Sequence, residues 1–132
     1  MKLRMMFVLL CALPAMSPAM VIAETYLCVP EANGGVRNAG GKSLESMRYA
    51  VGNEKFLQSN ASGSWVLKKF GNDNVLSNCT TEFSCGSLRE GAVYFSRGFD
   101  GVFTLVRTVA ELDEDVVVFD TVVTKGRCSK ID

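Results

Sequence analysis

Four cysteines, Cys28, Cys79, Cys85 and Cys128, run from near the start of the chain to its end. They constrain the fold more than any other feature, because the segment ahead of them directs the chain to an oxidising compartment. Lys2 and Arg4 give a positive start, an apolar run follows from Met5 to Leu13, and Val21-Ile22-Ala23 offers small or compact residues to a peptidase. This is the pattern of a secretory signal peptide over residues 1–23, so the mature chain is expected to begin near Glu24 and to be periplasmic or secreted. The apolar stretch falls short of the ~20 residues needed to span a bilayer. Pro14 and Pro18 interrupt its continuation, and no transmembrane segment is expected in the mature chain. Cys11 leaves with the leader.

An even set of four cysteines in an exported chain of this size reads as a disulfide framework. Three pairings are formally open. Cys28 with Cys128 and Cys79 with Cys85 is favoured, since the first two lie in the first and last expected strands and the other two bracket a polar loop. Tying the two ends closes a loop of 100 positions. On the chain-entropy account this contributes ~4 to 5 kcal/mol, comparable to the whole net stability of a small domain. A thiolate metal site is the competing reading, but no C-x-x-C pair exists and no histidine completes a ligand set. Neither a metal site nor any other cofactor is expected.

Removing the leader from 132 residues leaves 109, enough for a single β domain over 24–132. Lys2 and Arg4 depart with it, leaving 12 basic residues against 14 acidic ones and a net charge of −2. Such a chain has no positive excess with which to neutralise phosphates, so no nucleic-acid partner is expected. The chain has no histidine at all, which removes Ser-His-Asp and Cys-His catalysis and the commonest zinc and copper ligand. A carboxylate-only hydrolase needs two acids flanking a bond. Glu111, Asp113, Glu114 and Asp115 form the densest acidic run, but their place between two apolar β-type runs reads as a solvated turn. A non-enzymatic protein is therefore expected.

Thr25 to Val29 is short, β-branched and aromatic, and reads as a first strand ended by Pro30. Asn33-Gly34-Gly35 and Gly40-Gly41 then frame a loop. Ser43 to Val51 carries both a helical and an alternating spacing, which leaves room for one short helix. Lys55 to Leu57 and Ser64 to Phe70 resume the β pattern. Ala92 to Phe95 leads through Gly98-Phe99-Asp100-Gly101 into Val102 to Val106 as a hairpin. Val116 to Phe119 and Thr121 to Thr124 follow, closed by Lys125-Gly126. Strands at roughly ten-residue spacing without intervening helices predict an all-β fold, a small antiparallel β-barrel or sandwich stapled by two disulfides.

The candidate partner-binding residues are Ser62, Gly63, Trp65 and Arg97. Trp65 is the only tryptophan and would anchor a partner if exposed, since aromatic groups and arginines concentrate interface energy. Its alternation with Leu67 and Lys69 points instead to the core. Arg97 precedes a glycine-rich turn and is expected to project from a hairpin tip, able to grip a carboxylate with two prongs or simply to be a solvated charge.

Tyr26-x-Cys28, Trp65-Val66-x-Lys68-x-Phe70-Gly71 and Gly126-x-Cys128-Ser129 resemble a group of small, uncharacterised exported proteins of proteobacteria, a likeness that implies a β fold and periplasmic export and no known activity. Ala61-Ser62-Gly63 and Val93-Tyr94-Phe95-Ser96-Arg97-Gly98 are similar to the Ser-Gly loop and the aromatic strand of periplasmic inhibitors of c-type lysozyme. That resemblance implies that Ser62 and Arg97 would hydrogen-bond the target's carboxylates. The expectation is an exported, non-enzymatic binding protein whose loops recognise a protein or other envelope macromolecule. A lysozyme inhibitor and a structural or envelope-associated protein are the alternatives.

Overall fold

The computed structural model describes residues 22–39, 44–87, 93–113 and 116–131. The expected leader lies outside the described residues apart from Ile22 and Ala23. Every regular element among the described residues is a strand: β1 (Thr25–Ala39), β2 (Leu44–Arg48), β3 (Phe56–Ser59), β4 (Val66–Lys69), β5 (Val75–Thr81), β6 (Ser84–Ser87), β7 (Val93–Arg97), β8 (Val102–Asp113) and β9 (Val116–Ile131). All but β2 form an eight-stranded antiparallel barrel in which sequence neighbours pair, and β1 closes the circle against β9. Within the barrel, closure consumes the edges that an open sheet would leave for aggregation.

Alternation explains which residues fill this barrel, because successive side chains of a strand point to opposite faces. The inward set supplies Phe56, Leu67, Phe95, Phe103 and Leu105, all completely buried together with Cys28 and Cys85. Phe103 stacks on Phe95 at 5.6 Å and meets Phe56 edge-on at 6.4 Å. Gly126 lies on the inward face opposite Phe103. A Cβ there would collide with the Val29 carbonyl and the Phe103 ring, so glycine lets β9 approach β1 closely.

β1 is longer than its sequence suggests. Pro30 does not end it: the strand continues to Ala39, and the register shifts between Pro30 and Ala32. Proline is tolerated where a bulge needs no ladder hydrogen bond. Gly34 and Gly35, read as loop, lie in the ladder, and a Cβ on Gly35 would strike the Thr121 carbonyl. Within the ambiguous run from Ser43 to Val51, Leu44–Arg48 forms strand β2 rather than a helix and Tyr49 to Val51 belong to the connection that follows, while Ser43 lies outside the described residues. The two expected runs over 116–124 merge with the following residues into one strand of 16, passing straight through Lys125 and Gly126. Glu111 and Asp113 lie in β8 rather than in a turn, while Glu114 and Asp115 fall outside the described residues.

These lengths have a structural consequence. β3 pairs with β1 only over Thr25–Cys28, and β2 takes over its edge from Gly34 to Asn38. The far half of β1, the near half of β9, β2 and the end of β8 therefore extend past the barrel as a four-stranded flap. Arg37 grips Asp120 across two of these strands with two hydrogen bonds of 2.9 and 2.8 Å. The Arg37 hydrogen bonds hold the Asp120 carboxyl below its ordinary range against the opposing effect of burial, with Tyr49 assisting.

Both disulfides form as favoured, Cys28 with Cys128 and Cys79 with Cys85. Each joins directly opposed residues of an antiparallel pair, the first across the closing seam and the second across the β5–β6 hairpin. The Cys28–Cys128 bridge spans 100 positions and the Cys79–Cys85 bridge six, so the seam bridge restricts the unfolded chain far more. Replacing Cys28 and Cys128 by alanine together is expected to cost about 2 to 5 kcal/mol in denaturant unfolding, whereas the Cys79/Cys85 double variant should lose less. Equal losses would show that loop closure is not the source of the stabilisation.

Candidate functional site

One end of the barrel gathers the start of β1, the end of β9 and three turns, at residues 60–65, 82–83 and 98–101. All four sequence-selected residues belong to this end, at different depths. Ser62 and Gly63 are exposed at the tip of the first turn, which closes through a 2.8 Å hydrogen bond from the Gly63 amide to the Asn60 carbonyl. Gly63 adopts a φ of 88°, a left-handed conformation that glycine enters without a Cβ penalty. The turn is tied to the chain start: Asn60 Oδ1 accepts from the Glu24 amide at 2.6 Å, and the Asn60 amide donates back to the Glu24 carbonyl. Trp65 is half-buried, on the inward alternation of β4, with its ring 6.1 Å from that of Tyr26.

Arg97 does not project from a hairpin tip. It is 7% exposed, pointing into the barrel end because it falls on the same alternation as Phe95 and Val93. Its Nε donates to Gln58 Oε1 at 2.8 Å and its Nη2 to the Glu82 carbonyl at 3.0 Å, while Gln58 Nε2 donates to the same carbonyl at 2.8 Å. The guanidinium lies 3.8 Å from the centre of the Tyr26 ring and 5.2 Å from that of Phe83. Among the described residues, carbonyl dipoles and two aromatic faces meet this charge in place of a contacting carboxylate, an arrangement that suits a planar, weakly hydrated cation.

Tyr26 and Phe83 connect this interior arginine to the surface. Phe83 packs its ring 4.5 Å from Phe99, which is 92% exposed. Trp65, Tyr26, Arg97, Phe83 and Phe99 thus form one continuous series of contacts across the barrel end. The turn carrying Phe99 is firmly built. The Gly98 amide donates to the Val102 carbonyl, Asp100 Oδ1 accepts from the Val102 amide, and the Gly101 carbonyl accepts from the Cys128 amide at 2.7 Å. That last bond fastens the turn to the disulfide seam.

Sequence reasoning placed Phe99 in a turn and assigned it no role. Its signal was a large apolar residue between two glycines, where burial is least available. Tyr26 and Phe83 carried no local signal, because only barrel closure brings residues 26, 83 and 97 together. Lys130 donates to Glu24 at 2.8 Å at the rim, and this bond is the main reason the Glu24 carboxyl is held below its ordinary range.

In comparisons with known proteins, no family model matches the chain, no curated protein matches its sequence and no solved structure matches it.

Removal of the Arg97 side chain leaves Gln58 Oε1 without its donor in a fully buried position. Arg97→Ala is expected to destabilise the protein by about 3 kcal/mol in denaturant unfolding, and Arg97→Lys to restore little of it because an ammonium lacks the planar fork. A loss below about 0.5 kcal/mol would place the residue among ordinary surface charges.

Proposed function

We propose that the mature protein is exported and non-enzymatic, and that it recognises a protein or other envelope macromolecule through the turn end of the barrel. The observation that carries this reading is Phe99, a large apolar side chain almost wholly in solvent, set on a hydrogen-bonded turn with its ring against Phe83. An interface anchor of this kind loses little conformational freedom on binding, because the folded chain has already ordered it. At the same barrel end the exposed Ser62–Ser64 turn offers hydroxyl and backbone groups, and the half-buried Trp65 and Tyr26 rings provide the aromatic contact area that interfaces favour. Two disulfides between strands fit a chain that works outside the cytoplasm. Arg97 serves this surface from beneath, by fixing Tyr26 and Phe83. A c-type lysozyme, the narrower version of this reading, would meet Ser62 directly, whereas Arg97 would have to leave its internal acceptors.

Immobilised protein in envelope extract is expected to retain a partner at micromolar concentration. Phe99→Ala should weaken that retention by about 30-fold or more, the effect of truncating a central aromatic anchor, while leaving the melting temperature unchanged. Retention of nothing, or equal retention by the variant, sinks the reading. Unchanged activity of a c-type lysozyme at large molar excess of the protein removes the inhibitor version alone.

The flap favours a second reading, self-association in the envelope. Leu44, Phe119, Ala110, Leu112 and Val117 share its outer face by register, and Leu44 and Leu112 are 73% and 78% exposed. Among the described residues, β2 and the stretch of β8 beyond Arg107 each pair on one side only, and such edges accept a strand from a second copy. Sedimentation should then show a dimer or larger species that Leu112→Lys returns to monomer; a monomer at every concentration removes this reading.

A further inference from the structure

Beyond the barrel the flap reverses the usual distribution of charge and apolar surface. On the inner alternation of β9, Val118 and Asp120 are buried, and Tyr49 of the β2–β3 connection meets the Asp120 carboxylate. Arg37 completes an ion pair on that side. On the outer alternation of the same strand, Val117, Phe119 and Val123 are all exposed. The barrel wall shows the opposite arrangement, with Lys125 and Arg127 of β9 in solvent and Phe103 and Leu105 of β8 in the core.

Register shows how far the outer surface runs. Val117 lies beside Leu112 of β8, and the next row, two residues along, is Leu44, Asn38, Phe119 and Ala110 from β2 to β8. Ser46, Val36, Thr121 and Thr108 follow, and the two threonine hydroxyls bond each other at 3.3 Å. A fourth row brings Gly34, Val123, Val106 and, on β7, Tyr94. Among the described residues, the one charge in these rows is Arg48, at the β2 edge. Apart from Val106, the large apolar members are 40% to 78% exposed. Together they present roughly 700 Å² to solvent, more than the ~300 to 600 Å² of the largest patch on an ordinary monomer.

Charge and area narrow what covers this surface. Anionic lipid headgroups attract basic segments, whereas the chain between Leu112 and Val117 belongs to its densest acidic run, Glu111 to Asp115. An uncharged face carries no sign that repels its own copy. Its area approaches the ~800 Å² that each partner brings to a standard interface, and two apolar sheet faces stack about 10 Å apart. We infer that two copies of this chain stack their flaps outer face to outer face, about a two-fold axis lying across the strands. Such an axis runs the strands of the two copies antiparallel and sets the acidic runs at opposite ends. It lays Val117 of one copy over Val123 of the other. The inference rests on the self-association reading and names its surface: the edges of β2 and β8 stay at the rim of the stacked pair instead of pairing with a second copy.

Sedimentation velocity of the disulfide-bonded mature protein from about 1 to 200 μM is expected to show a dimer with half-association at about micromolar concentration. Two variants separate the face from the edges. Val36→Lys puts a charge in mid-face on β1, which pairs on both sides there, and should weaken the dimer about 30-fold or more. Val109→Lys puts a charge on the β8 edge, on the inner alternation opposite Asp120. A lysine there blocks edge pairing and should leave the stacked dimer within about twofold. A dimer lost in Val109→Lys and kept in Val36→Lys overturns the inference while self-association through edges survives. Loss in both variants or persistence in both overturns it as well, and a monomer at every concentration removes the self-association reading with it. Flotation of monomeric protein with phosphatidylglycerol vesicles assigns the face to lipid and overturns the inference. If Val36→Lys does not fold, the wild-type protein decides. Broadening of the Val36, Val117 and Val123 methyl signals by a soluble gadolinium chelate should fall several-fold from monomer to dimer, and unchanged broadening overturns the inference.

Discussion

Along the seam from Thr25 opposite Ile131 to Ala39 opposite Val118, the first and last strands of the chain hydrogen-bond to each other, and Cys28 and Cys128 face one another within that ladder. Pairing residues so distant in sequence carries a loop-closure cost that no local contact offsets. The covalent link relieves this cost by restricting the unfolded chain, and the close approach at Gly126 lets the two strands meet. Both ends of the molecule rest on it. The turn that presents Phe99 is bonded to the Cys128 amide, and the flap continues the same pair of strands.

The two ends of the barrel differ in chemistry because the inward alternation carries different residues at each. Toward the turns it supplies Tyr26, Gln58, Trp65 and Arg97, which assemble a polar knot roofed by aromatic rings. In the middle it is apolar, with three phenylalanines and two leucines. At the far mouth it turns polar again through Asn33, Arg107 and Thr124. The missing histidine matters here as well, since neither mouth contains a side chain whose charge changes near neutral pH by its ordinary value.

Much of the fold was legible from local pattern. The Asp-Gly pair identified the hairpin around Gly98 to Gly101, alternation put Trp65 on the inward face, and the favoured one of three cysteine pairings is the one that forms. The misread strand ends share one cause. Pro30, Gly34, Gly35 and Lys125-Gly126 are breakers by propensity, yet all lie inside long strands, because the β1–β9 ladder needs a bulge at one position and bare backbone at others. Propensity describes a residue alone; a tight seam selects the same residues for their lack of a side chain or an amide hydrogen.

The amino-acid sequence by itself determined the all-β character and the absence of histidine-based chemistry, since these follow from residue types and short-range spacing, and it favoured one of three disulfide pairings. Tertiary structure decided the rest. Arg97 became an interior side chain rather than an exposed charge, Phe99 an exposed ring beside Phe83, and Asn33 and Thr124 cross-strand neighbours. Each of these depends on which strand lies beside which once the sheet has closed, and that is set by register over tens of residues, a distance at which local periodicity carries no information.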